Sequence, residues 1–141
     1  MGKLLTACDL ENVNVTVGIF EDSAFFHHHK TAAWLSEYAN RNIAVMKEVV
    51  GLYRSKHESF QSIYDSAEVN DRDWNSTVVD ILLDQYLKPV HSWAHEAGLQ
   101  TATAPFFFNS SDPLVSAKFW DQLLSRVHID RIYLDDDAAM T

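Results

Sequence analysis

At 141 residues and 47% hydrophobic, the chain has enough apolar material for one domain around one core, and its four Gly and three Pro are too few for disorder or a collagen-like repeat. A net charge of -9 leaves no basic stripe to neutralise phosphates, so no nucleic acid and no anionic membrane is expected as a partner. No run of about 18 apolar residues occurs to span a bilayer, and the single Cys8 excludes an intrachain disulfide.

The opening segment, 1–12, reads as the end of a helix. Its apolar run is too short for a secretory signal, so localisation stays unknown, and cytoplasmic if the chain is complete. Residues 13–20 are β-branched and alternate, which predicts a strand. A loop rich in aromatics and histidine follows over 21–29. Two helices come next, about 30–39 and 41–56, separated at Asn40-Arg41-Asn42, with Trp34, Tyr38, Val45, Val49 and Leu52 on apolar faces.

A second strand is predicted at 60–67. The helix after it, about 76–97, carries Val79, Leu82, Leu83, Tyr86, Val90, Trp93 and Ala97 as one stripe. Thr77 and Asp80 fit a capping box and Gly98 fits the C′ position. The third strand is 100–107. Asp112-Pro113 then marks an N-cap with Pro at N1, which predicts a helix from 113 to about 126, and the fourth strand is 131–135.

Alternation of strand and helix predicts an α/β fold of parallel βα repeats with right-handed crossovers. Four such strands make half of a (β/α)8 TIM-type barrel, whose full form takes about 250 residues. The expected domain is thus a single partial barrel over 1–141. A free-standing open sheet with helices on both faces is the other architecture that fits. Two of the strands run into carboxylates, Glu68-Val69-Asn70-Asp71 and Asp135-Asp136-Asp137. In parallel α/β folds the rim at the strands' C-terminal ends is where chemistry is done.

The run 62–74, with Tyr64, Glu68 and Asp71, resembles a family of bacterial domains of unknown function grouped with glycoside hydrolases of (β/α)8 fold, whose stretch reads Gly-Trp-Tyr-Leu-Pro-x-Glu-Ile-Asp-Asp. Val17-Gly18-Ile19, Ala104-Pro105-Phe106-Phe107 and the segment from Ile129-Asp130 through Asp136 resemble three further stretches of that family, in the same order. The resemblance covers nearly the whole chain but only about strands three to six of the family's domain. Asp65-Ser66 stands where the family has Leu-Pro, and Asp135-Asp136-Asp137 where it has Gln-Asp-Gly. It implies an acid/base carboxylate at Glu68, after strand four of the common layout of retaining glycosidases. The nucleophile's strand, the seventh, has no counterpart here.

Glycoside hydrolysis needs two carboxyl groups, one held protonated by apolar walls. Glu68 has Tyr64, Val69 and Trp74 near it in sequence, and Asp136 is the second candidate, as carboxylate or substrate hydrogen-bonder. Tyr64, Asp71, Trp74, Phe108 and Asn109 are expected to bind substrate, by ring stacking on sugar faces or by hydrogen bonds to hydroxyls. Against these stands a plainer reading, a solvated acidic rim in a chain with 20 acidic residues. Phe25 and Phe26 read better as packing residues than as a sugar platform.

No metal and no cofactor is expected. Three consecutive histidines, His27-His28-His29, rarely converge on one ion. His91 and His95 have i,i+4 spacing but project away from the Val90/Trp93 stripe, which predicts that both face solvent. The reading is a fragment of a glycoside-hydrolase-like barrel acting on carbohydrate, inactive alone. The alternatives are a non-catalytic carbohydrate-binding or degenerate barrel fragment and an independent α/β module. Exposed sheet edges and an inner face of Val, Ile and Phe would favour homo-oligomers.

Overall fold

The computed structural model describes residues 1–67, 76–104 and 113–133. Helix α1 (Gly2–Leu10) leads to strand β1 (Val15–Gly18), a short helix α2 (Phe25–His28) and a long helix α3 (Ala32–Tyr53). Strand β2 (Phe60–Asp65) follows, then a continuous helical rod made of α4 (Ser76–Leu82), a π-helical turn (Leu83–Leu87) and α5 (Lys88–Glu96). Strand β3 (Gln100–Thr103), helix α6 (Pro113–Arg126) and strand β4 (Arg131–Ile132) complete the order. No helix among the described residues is long and apolar enough to cross a membrane.

The strands form a single sheet in the order β1-β2-β3-β4, and every neighbouring pair is parallel. The expected strand order is therefore present, with β1 and β2 shorter than predicted and the predicted strand ends at 105–107 and 134–135 outside the described residues. β2 stops at Asp65 because that side chain takes the Ala67 N–H (3.0 Å) in place of a ladder partner. Crossovers of one hand place successive helices on one face of the sheet, and α3 packs directly on the α4–α5 rod. Between helices and sheet lies the core, which includes Leu5, Leu35, Met46, Ile63, Leu83 and Leu123. Full burial of each such side chain stabilises by about 1.5–3 kcal/mol.

The predicted break at Asn40-Arg41-Asn42 is absent, and α3 runs through it. Asn42 is buried and donates its side-chain amide to the Tyr38 carbonyl one turn back (3.3 Å), so a polar residue is accommodated inside a helix. The unbroken phase fixes the buried face as Leu35, Tyr38, Ala39, Asn42 and Met46. Val45 and Leu52, expected on the apolar side, are 46% and 48% exposed.

A larger correction concerns His91, which is 1% exposed rather than solvent-facing. In the rod, buried residues come in pairs four apart: Val78–Val79, Leu82–Leu83, Tyr86–Leu87 and Val90–His91. On a pure α-helix a spacing of four drifts by about 40° per step, because each residue turns about 100°. The wider π turn absorbs that drift and carries His91 and Ala94 inward, leaving Trp93 and Ala97 half-buried. Pro89 supplies the cause, since it lacks an N–H and its ring crowds the carbonyl four residues earlier. Gly98, as expected for C′, has φ +73.

Strand alternation gives the sheet two unlike faces. Ile63, Asp65, Thr101 and Thr103 face the helices. Thr16, Ser62, Tyr64, Gln100, Ala102, Arg131 and Tyr133 share the opposite face, where Thr16 and Ser62 hydroxyls hydrogen-bond and Arg131 donates to Gln100 (2.7 Å). The face turned from the helices is thus polar and aromatic, not the Val, Ile and Phe surface expected.

The N-terminal ends of two strands are pinned by the same device. Asp9 accepts the Ser59 N–H (2.8 Å) and pairs with His57 (2.7 Å) just before β2. Asp130 accepts the Thr101 N–H (2.7 Å) and pairs with His95 (2.8 Å) at the start of β3. Hydrogen bonds from Ser59 and His57 hold the Asp9 carboxyl down at about 2. Burial pushes Asp130 up, but bonds from His95 and Thr101 outweigh it and leave that carboxyl below its usual range.

Candidate functional site

The C-terminal end of the sheet gathers what the described residues offer for chemistry. Tyr64, the penultimate residue of β2, stands half-buried on the face turned from the helices. Its ring meets that of Tyr133 at 6.0 Å and 55°. The two tyrosines come from β2 and from the residue after β4, and they meet because Ala102 on the intervening β3 is small. Tyr133 is 45% exposed, so the pair presents ring surface at the rim. Of the site residues predicted from sequence, Tyr64 alone is among the described ones. Glu68, Asp71, Trp74, Phe108, Asn109 and Asp136 lie outside them.

One residue further along β2, the chain turns the other way. Asp65 is fully buried and points at the helical rod, where its Oδ1 accepts the Tyr86 hydroxyl (2.8 Å) as well as the Ala67 N–H. Its Oδ2 lies 3.5 Å from His91 Nε2. Asp65 Oδ2, the Ser66 hydroxyl and both ring nitrogens of His91 are buried with no hydrogen-bond partner among the described residues. Burial first, and then the neighbouring Asp65 carboxylate, push the Tyr86 hydroxyl well above its usual value, so it stays a proton donor.

Aromatic packing ties this cluster to the loop after β1. His28, Trp34, Tyr38 and Tyr86 stack in sequence, with centroids 5.5, 4.9 and 5.1 Å apart. Phe25 is buried against the same column, which is the packing role expected of it. The Tyr38 hydroxyl donates to the Phe20 carbonyl (2.9 Å) and accepts from the Asp22 N–H (3.3 Å), anchoring the loop at the rim. Burial also raises the Tyr38 hydroxyl above its usual value.

A cavity of about 400 Å³ opens at the other end, lined by Cys8, Asp9, Lys56, Glu58 and Gln61 among others. Its Asp9 is already committed to the Ser59 and His57 bonds.

A model of the family described as a domain of unknown function (DUF4434) matches residues 1–138. The chain belongs to the DUF4434 family. No curated protein and no solved structure matches it. In this DUF4434 chain, sequence reasoning missed Tyr133, Asp65, Tyr86 and His91. Tyr133 had a signal, because alternation from Arg131 puts it on the face of Tyr64. Pro89 was the signal for His91. Nothing in the sequence marks Asp65 and Tyr86 as neighbours, 21 residues apart on different elements.

Proposed function

We propose that the chain is half of a carbohydrate-active (β/α)8 barrel, with its sugar site at the C-terminal rim and Glu68 as general acid/base. The observation that supports this reading best is the Tyr64–Tyr133 ring pair, on the sheet face turned from the helices and at the strand ends. In a barrel that face is the interior, and its C-terminal end is the active-site mouth. Tyrosine rings offer apolar area for a pyranose and hydroxyls for its substituents. The sequential strand order agrees, since it stacks successive helices on one side as a barrel does. The outer edges of β1 and β4 are where the remaining strands would pair.

Within this reading Glu68 gives its proton to the glycosidic oxygen as that bond breaks, a nucleophile on the barrel's seventh strand forms the new bond at the anomeric carbon, and Asp136 serves as second carboxylate or substrate hydrogen-bonder. Asp65 is a positioning residue. By capping the turn at Ala67 from a buried site, it fixes the direction in which the chain leaves β2 toward Glu68.

Titration of the chain with cello-, xylo-, chito- and malto-oligosaccharides, followed by NMR of the tyrosine rings, tests the site. One series should shift Tyr64 and Tyr133 together, Tyr64→Ala should abolish its binding, and the chain alone should not hydrolyse it. In a barrel completed by the missing strands, Glu68→Gln should abolish turnover of an unactivated glycoside and leave binding nearly intact. Failure of every series to perturb either ring would refute the sugar site. Unchanged turnover in the Gln variant would remove Glu68 from the mechanism.

A further inference from the structure

The second of the two Asp–His pins has a component that the first lacks. Beside Asp130 and His95 stands His128, whose ring stacks on that of His95 with centroids 4.3 Å apart and planes at 30°. His128 Nε2 is 3.7 Å from Asp130 Oδ1, beyond hydrogen-bond reach, while His95 Nε2 is 2.8 Å from Oδ2. The pin itself needs one imidazole, as the Asp9–His57 pair demonstrates at β2. His128 therefore adds nothing to the hydrogen bonding, and it places a second basic nitrogen beside the same carboxylate.

We propose that His95, His128 and Asp130 form a binding site for a divalent transition-metal ion, zinc above all. One ligand atom from each lies within 4.8 Å of the others. Ligand atoms sharing one zinc are about 3.3 Å apart, given bonds of about 2.0–2.2 Å in tetrahedral geometry, so small side-chain rotations close the site. Two imidazoles and a carboxylate suit zinc, copper or nickel and disfavour magnesium and calcium, which take oxygen ligands.

The frame around the site is already set. The Thr101 N–H and hydroxyl both reach Asp130 Oδ2 (2.7 and 3.4 Å), and the same hydroxyl reaches the His128 carbonyl (3.3 Å). Thr101 thus orients the Asp130 ligand from a fully buried position, the outer-partner arrangement that metal sites use, and ties the backbone at His128 to the same strand. His128 is 74% exposed at its side chain, which leaves the fourth position to water. A bound ion would clamp the end of α5 to the approach to β4 across the start of β3. That role is independent of any sugar site, since it sits at the opposite end of the strands.

Zinc titration of the purified chain, without an affinity tag and followed by residue-resolved NMR of the histidine rings, tests the site. This readout separates it from the His27-His28-His29 run. His95 and His128 should shift together and saturate with one ion, while His57 stays unmoved. His128→Ala removes a solvent-exposed ring, so the fold should persist with the same metal-free melting temperature. The same change should weaken zinc binding at His95 by more than the roughly 10–100-fold that loss of an outer partner alone costs. Zinc should raise the melting temperature of the wild-type chain and not of His128→Ala. Rings of His95 and His128 that stay unshifted at saturating zinc would overturn the proposal, as would equal affinity at His95 in the variant.

Discussion

The two ends of the sheet both set aspartates beside histidines, yet they solve opposite problems. At the N-terminal end, Asp9 and Asp130 each take a strand N–H and an imidazole within hydrogen-bond distance, and each carboxyl is held below its usual range. The bonds Asp9 and Asp130 make there fasten the starts of β2 and β3 to neighbouring segments. At the C-terminal end, Asp65 is sealed from solvent, its histidine stands off at 3.5 Å, and several polar atoms go unpaired. Satisfied pins buy stability; an under-satisfied buried cluster next to the rim is the arrangement associated with functional sites.

The largest effect should come from that buried cluster. Asp65→Ala strands the Tyr86 hydroxyl and the Ala67 N–H without an acceptor and opens a void, which should cost about 3 kcal/mol in urea unfolding. If the loss is no greater than that of Asp9→Ala, the contrast between the ends collapses. A smaller effect is expected at the N-terminal end from Gly98→Ala. A Cβ there would meet nothing, but φ +73 disfavours an L side chain, so a loss of about 1 kcal/mol is expected from backbone strain alone. A neutral result in the same unfolding assay would mean that the turn relaxes.

The subtlest test is in acid. Asp9 titrates at about 2 in the folded chain against an ordinary 3.8, so its contribution is fully present above the higher value and fades as pH falls toward the lower. Asp9→Asn should therefore flatten the acid limb of stability between about pH 4 and 2 relative to wild type. An unchanged slope in pH-dependent melting would show that the His57 and Ser59 bonds do not differ between folded and unfolded states. Exposure of this carboxylate keeps the expected change modest.

Legibility in the sequence followed the range of the interactions involved. Helix α6 matched its predicted span because its start is written locally, in Asp112-Pro113. Strand order was readable too, since alternating periods leave little choice beyond a sequential parallel sheet. The predicted break in α3 failed because the Asn42 amide donates to a carbonyl that only a formed helix presents. His91 failed for a related reason. A stripe drawn at constant 3.6-residue period cannot anticipate a π turn, although Pro89 announced one.

Sequence alone therefore determined the α/β alternation, the parallel sheet, the start of α6, the Gly98 end of α5 and the acidic stretch that follows β2. These depend on neighbours a few residues apart, where turn chemistry and side-chain period dominate. The capping box read at Thr77 and Asp80 is not formed, since α4 already begins at Ser76 and Asp80 pairs with Arg126. Tertiary structure decided which histidines are buried, which face of the sheet is polar, and which aspartates meet which partners. Asp65 meets Tyr86 and His91, Tyr64 meets Tyr133, and His95 meets His128 and Asp130, each across different elements. Contacts of that kind depend on register and on helix phase. A one-residue shift in either reverses a side chain's surroundings, so only the packed sheet and helices fix them.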